Sequence, residues 1–170
     1  MKSKIFKMRN VVAVAICLVG VTMFSGCDPN KVGGKIDPAL IGTWTCADYW
    51  TASSYTFKTN GTFESGFAMD MSRGSFPKPE FDVNLTKGKC ETQNGIAYFT
   101  SCKTTYEKYT IIDMSTGQRA TTPFSTETKQ TDDFSFVYKI LTDDEGKSYM
   151  LTAKVGEEIV DYVSIRYYKE

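Results

Sequence analysis

Side chains that alternate between apolar and polar, in short runs broken by turn residues, recur along this chain and constrain its fold more than any other feature. The clearest case is SYTFKTNGTFESG, Ser54 to Gly66. A two-residue turn at Asn60-Gly61 would set Phe57 opposite Glu64 and Phe63 opposite Lys58, which mismatches both faces. A three-residue loop Thr59-Asn60-Gly61, with Gly61 left-handed in a bulge, sets Phe57 opposite Phe63. This second register is expected, with Tyr55, Phe57 and Phe63 directed into one core and Lys58 toward water. The same logic applied to Gln93-Asn94-Gly95 pairs Thr92 with Ile96 and Cys90 with Tyr98.

Runs of this kind, rich in Tyr, Phe, Thr, Val and Ile, predict strands at Gly42–Asp48, Ser54–Thr59, Thr62–Phe67, Phe81–Thr86 and Lys89–Thr92. Further strands are predicted at Ile96–Lys103, Tyr106–Met114, Phe134–Leu141, Ser148–Val155 and Ile159–Tyr168. Helical periodicity is hard to find past the first 24 residues. The roughly 130 residues after Pro38 are enough for one domain with a real core. Many short antiparallel strands separated by turns mean an all-β barrel or sandwich.

The amino terminus has a different character. Lys2, Lys4, Lys7 and Arg9 form a basic head before an apolar segment from Val11 to Phe24. That segment falls short of the roughly 20 apolar residues a membrane-spanning helix needs, and it ends in small residues suited to a peptidase. Head, apolar run and small-residue end together read as a secretory signal. Phe24-Ser25-Gly26-Cys27 resembles the lipobox of bacterial lipoproteins, in which the cysteine thiol is alkylated with diacylglycerol and becomes the new amino terminus. Phe24 stands where leucine is commonest in that pattern. The resemblance implies a signal peptide over residues 1–26, lipid attachment at Cys27, a tether over 27–38 and a folded domain over 39–170. It also implies a protein in the bacterial cell envelope, held to a membrane through its N-terminal lipid and extracytoplasmic. Asp28 resembles the retention signal that some Gram-negative bacteria use at the inner membrane, and the choice of inner or outer membrane stays open.

Charge narrows the partners. The full chain balances 20 Lys+Arg against 20 Asp+Glu, but the leader's four charges are all basic, so the remainder carries four more acids than bases. A nucleic-acid binder would show a basic patch or stripe, and none is expected here. Histidine is absent, which removes the commonest general base and metal ligand. The carboxylates Asp143-Asp144-Glu145 read as a hairpin turn and Asp132-Asp133 as the start of a strand. No catalytic residues, no metal and no cofactor are expected.

Secretion makes a disulfide permissible, and Cys46, Cys90 and Cys102 remain once Cys27 is lipidated. In the register drawn for the second hairpin Cys102 lies opposite Thr86. Cys90 is then roughly 13 Å away at the usual strand rise, beyond the roughly 7 Å between Cα atoms that a disulfide tolerates. The candidate disulfide is therefore Cys46 with Cys90 or Cys102; buried free thiols are the alternative. Gly88 marks either a bulge or a separate turn.

Gly42-x-Trp44, in LIGTWTCADYW, resembles the opening motif of lipocalins and the wider calycin group, and YTFKTNGTFE is similar to the second and third strands of small lipocalin-like lipoprotein domains. The resemblance implies an antiparallel up-and-down barrel, which would here have about eight to ten short strands. It also implies that Trp44 plugs the closed end, stacked with an arginine from near the C-terminus, for which Arg166 is suitably placed. Arg166-x-Tyr168 looks as well like the pair with which intracellular fatty-acid-binding barrels hold a carboxylate. Alternation, however, puts Arg166 and Tyr168 on the face opposite the more apolar Val163, Ile165 and Tyr167. A structural plug, a plain exposed arginine and a carboxylate ligand all remain open.

Two loops stand out. Ser65–Glu80 carries Phe67, Met69, Met71 and Phe76, either as contacts to a ligand or partner or as an extension of the third strand under the barrel's edge. Ser115–Asp133 is rich in Ser and Thr and is expected to move. The favoured function is a membrane-anchored lipocalin-like barrel that binds a small apolar ligand. The alternative is a filled-core interaction protein, adhesin-like or resembling lysozyme inhibitors, that acts on a protein partner through its loops.

Overall fold

The computed structural model describes residues 35–48, 50–73, 79–113, 115–116, 118–161 and 165–170. Five strands follow one another as a meander: β1 (Gly42–Ala47), β2 (Thr51–Phe57), β3 (Thr62–Asp70), β4 (Glu80–Gln93) and β5 (Ile96–Asp113). After β6 (Gln118–Arg119) and β7 (Ser125–Gln130) come β8 (Phe134–Thr142), β9 (Ser148–Lys154) and β10 (Arg166–Lys169). The ladder runs β4-β3-β2-β1-β10-β9-β8-β5, and β4 pairs with β5, so these strands form a closed antiparallel ring. The chain is thus all-β and barrel-like, in up-and-down order. β6 and β7 pair outside the ring with the distal half of β5.

The first hairpin has the expected register. Phe57 lies opposite Phe63, Lys58 and Thr62 close the loop through a 3.0 Å backbone bond, and Gly61 takes φ +78°. The second hairpin corrects the expectation. Asn94 and Gly95 both have positive φ, 53° and 75°, and form a two-residue turn that pairs Gln93 with Ile96, Thr92 with Ala97 and Cys90 with Phe99. Asn-Gly tolerates both left-handed positions, which suits a tight hairpin that follows strand twist. The first loop differs because Thr59 and Asn60 precede its single glycine.

The predicted breaks inside β4 and β5 are also absent. Gly88 sits in a bulge: Lys87 pairs with Lys103 and Lys89 with Thr100, so β5 has one more residue than β4 across this step, with Ser101 at φ +56°. A Cβ on Gly88 would lie 2.7 Å from the Thr100 carbonyl oxygen and 2.9 Å from the Phe63 ring. The glycine therefore permits close strand approach instead of ending the strand. The segment 115–133 forms β6 and β7 rather than a plain loop, and the last strand is confined to β10, shorter than Ile159–Tyr168.

The main core fills the barrel end at which β1 begins. Trp44, Phe57, Phe63, Phe99 and Met150 are essentially fully buried there, with Leu40 of the lead-in among them. Phe99 stacks on Phe134 at 4.4 Å and meets the edge of Phe63 at 4.5 Å. Aromatic contacts of this kind add about 0.5–1.5 kcal/mol each beyond the area they bury. At the other end the sheet reverses its buried face. Ala68, Phe81, Val83, Tyr109 and Ile111, which point outward from the ring, form a second cluster. The Arg119 guanidinium lies over the rings of Phe81 (4.8 Å) and Tyr109 (4.6 Å), which pins β6 to it.

Candidate functional site

The cations near Trp44 decide between the readings of the closed end. Trp44 is buried, and its indole donates a 2.7 Å bond to the Leu40 carbonyl. The cation on its ring is Lys169, with Nζ 5.2 Å from the centroid and a 3.3 Å bond to the Ala39 carbonyl. Arg166 is not the plug. Its side chain is exposed, bonds Asp161 at 3.0 Å and covers Tyr149. Strand alternation explains the exchange: Trp44 pairs with Lys169, three residues beyond Arg166 and therefore on the opposite face. Gly42, at φ +122°, gives the lysine its path, because a Cβ there would stand 3.1 Å from Lys169 Cε. Tyr168 shares the outer face with Arg166, paired with Tyr149, while Tyr167 points inward and is buried. An interior carboxylate clamp from Arg166 and Tyr168 is thereby excluded.

The lead-in closes the same end. Asp37 accepts a 2.8 Å bond from the Tyr138 hydroxyl, and its amide donates to Thr92 Oγ1. Burial, with Asp37 alongside, pushes the Tyr138 phenol up to about 12. No disulfide joins Cys46 to Cys90 or Cys102, so the candidate pairing of Cys46 is not made. Cys90 is pushed up to about 12, first by burial and then by Glu91 and Cys102 nearby.

Above this core a cleft of about 440 Å³ opens on the inner face. Its floor is Tyr55, whose ring meets Tyr167 (5.3 Å) and Phe136 (5.5 Å) edge to face. Two transverse rows of side chains form the wall. Pairing aligns Tyr55, Ser65, Thr86 and Thr104 across β2 to β5, and then Ser53, Phe67, Asn84 and Tyr106 one step further up. Thr86 and Thr104 hydroxyls bond at 2.8 Å, and Ser53 donates to the Tyr167 hydroxyl at 3.2 Å. Burial, together with Tyr167 nearby, raises the Tyr55 phenol far above its ordinary range, so it stays protonated and able to donate.

The charge available to this cleft is small. Among its described lining residues Asp48 alone is ionic. Burial disfavours its charge, but its carboxylate accepts the amides of Trp50 (2.8 Å) and Thr51 (2.7 Å), and the net effect holds it below the usual range. Lys108, at the rim, stands 3.8 Å from both Glu80 and Asp82.

Of the residues singled out in Ser65–Glu80, Phe67 lines the cleft and Met69 follows it on β3, so the strand is extended as one reading held. Met71 begins a 3₁₀ turn, Met71–Arg73. Phe76 and Cys27 lie outside the described residues. The sequence reading overlooked the polar lining. Its signal was present in Ser53 and Ser65, which continue the inward-facing positions of Phe57 and Phe63. Asp143 accepts the Glu145 and Lys147 amides in the expected turn. Among the described residues no group of three acidic or cysteine side chains is placed to hold a metal. No protein-family model, curated protein or solved structure matches the chain.

Proposed function

We propose that this protein is a lipid-anchored, extracytoplasmic binding protein whose barrel takes a small ligand in the cleft above Tyr55. The cleft itself carries the reading: about 440 Å³, within the range of about 300–1,000 Å³ typical of small-molecule sites. The basic head, apolar run and lipobox-like Phe24-Ser25-Gly26-Cys27 support the anchor. The closed end is filled by aromatic side chains, which leaves the upper cleft as the place for a ligand. Hydroxyls and an amide share that cleft with rings, so the ligand is amphipathic rather than purely apolar.

Native mass spectrometry of the full chain, exported and extracted in mild detergent, tests the binding. A reproducible extra mass lost on denaturation is expected, while a bare chain from every preparation removes the proposal. For the anchor, Cys27→Ala is expected to release the protein from the membrane fraction and abolish incorporation of labelled palmitate; unchanged fractionation and labelling would overturn it. A second reading, interaction with a protein partner, is favoured by β7. All six of its residues are exposed and, among the described residues, it pairs with β5 alone, leaving an edge suited to strand addition.

A further inference from the structure

We infer that the cleft is a binding site for a neutral saccharide, seated across Phe67, Asn84 and Tyr106. The inference rests on the binding reading above and specifies its ligand class.

These three residues are directly paired neighbours on β3, β4 and β5. With strands about 4.8 Å apart, the two rings are rooted on the order of 10 Å from each other with the amide between them. Both rings are 37% exposed, although each lines a concave wall. No hydrogen bond among the described residues engages the side chains of Asn84, Tyr106, Tyr55 or Ser65. A ligand that fits must therefore bring its own donors and acceptors, and must also present apolar surface to two ring faces.

Three ligand classes fail on this lining. A fatty acid or other anion finds no cation among the described lining residues, and Lys108 at the rim stands between two carboxylates. Among the described lining residues a cation finds only Asp48, whose carboxylate already accepts two backbone amides. A purely alkyl ligand would cover the hydroxyls and the Asn84 amide without replacing their hydrogen bonds, leaving each of those polar groups buried and unpaired. A pyranose meets every demand. Its hydroxyls exchange bonds with Asn84, Ser65 and the Tyr55 phenol, and its axial C–H face rests on an aromatic ring whose face carries partial negative charge. Two linked rings would reach from Phe67 to Tyr106.

The test applies the full-length protein in detergent to an array of neutral glucans, mannans, galactans, xylans and N-acetylated oligosaccharides, with palmitate titrated separately. Saturable binding to neutral glycans is expected. Phe67→Ala, Tyr106→Ala and Asn84→Leu should each weaken it at least about tenfold, equivalent to about 1.4 kcal/mol. Tyr98→Ala, an aromatic 40% exposed elsewhere on β5, should change it less than about twofold, and thermal melts of all four variants check folding. Palmitate binding that the same variants abolish, with no glycan bound, overturns the ligand class and keeps the binding cleft. Glycan binding that none of the three cleft variants alters overturns the site. No binding of glycan or palmitate, together with a bare mass, overturns this inference and the binding reading at once.

Discussion

Below and above Tyr55 the same strands present the same face, with opposite results. Below, the inner face supplies Phe57, Phe63, Cys90 and Phe99, which are buried together in the main core. Above, it supplies Ser53, Phe67, Asn84 and Tyr106, which line an open cleft. The upper half buries its apolar residues on the outer face instead, in the cluster of Ala68, Phe81, Val83 and Tyr109. A strand has only two faces, so moving the apolar set to the outside leaves the inside free to be polar. The filled core and the open cleft are separated by height along the barrel.

The contrast breaks most readily at Phe99. Phe99→Ala should cost about 3–5 kcal/mol in chemical denaturation, while Phe67→Ala in the cleft should cost under about 1 kcal/mol. Equal losses would mean that the cleft is part of the core. Gly88→Ala comes next, at about 1–3 kcal/mol, because the added carbon meets the Thr100 carbonyl and the Phe63 ring. A melt unchanged by this substitution would show that the bulge relaxes freely. Lys169→Ala should lose about 0.5–2 kcal/mol as Trp44 loses its cation, and Arg166→Ala should leave the Trp44 fluorescence unaltered. The reverse pattern would restore Arg166 as the plug.

The closed end also predicts an alkaline limit. The Cys90 thiol, ordinarily near 9, and the Tyr138 phenol, ordinarily near 10, are both pushed up to about 12. The unfolded chain then releases these protons first, so their stabilising contribution is complete below pH 9 and is lost as pH rises toward about 12. Denaturation midpoints should fall across that window, and less steeply in Cys90→Ser; a flat profile would mean that these groups are not sheltered. The smallest effect is expected at Ser65→Ala, within about 0.5 kcal/mol, because no hydrogen bond among the described residues engages that hydroxyl. A loss above about 1 kcal/mol would show that the cleft's polar rows hold the sheet together.

Much of the barrel was legible in the chain because its signals are local. The Phe57–Phe63 register followed from matching faces around one glycine, and alternation set Tyr167 on the face opposite Arg166 without deciding which face turns inward. The second hairpin was misread by analogy with the first. Asn94-Gly95 closes a two-residue turn by itself, whereas the first loop needs Thr59 as well. The exchange of Lys169 for Arg166 at Trp44 was out of reach, since a cation's partner depends on which residue of β10 faces β1, and that register is set across the whole ring.

By itself the sequence determined an all-β chain of short antiparallel strands, the aromatic set for a core and the turns at Asn60-Gly61 and Asp143–Gly146, since each rests on two-residue periodicity or the φ preferences of a few neighbours. Only the tertiary structure decided that the ring closes through β10 and β5, that Lys169 covers Trp44, and that the buried face changes sides above Tyr55. Those outcomes depend on contacts between residues far apart in the chain, and a single strand's alternation is equally compatible with either face turned inward.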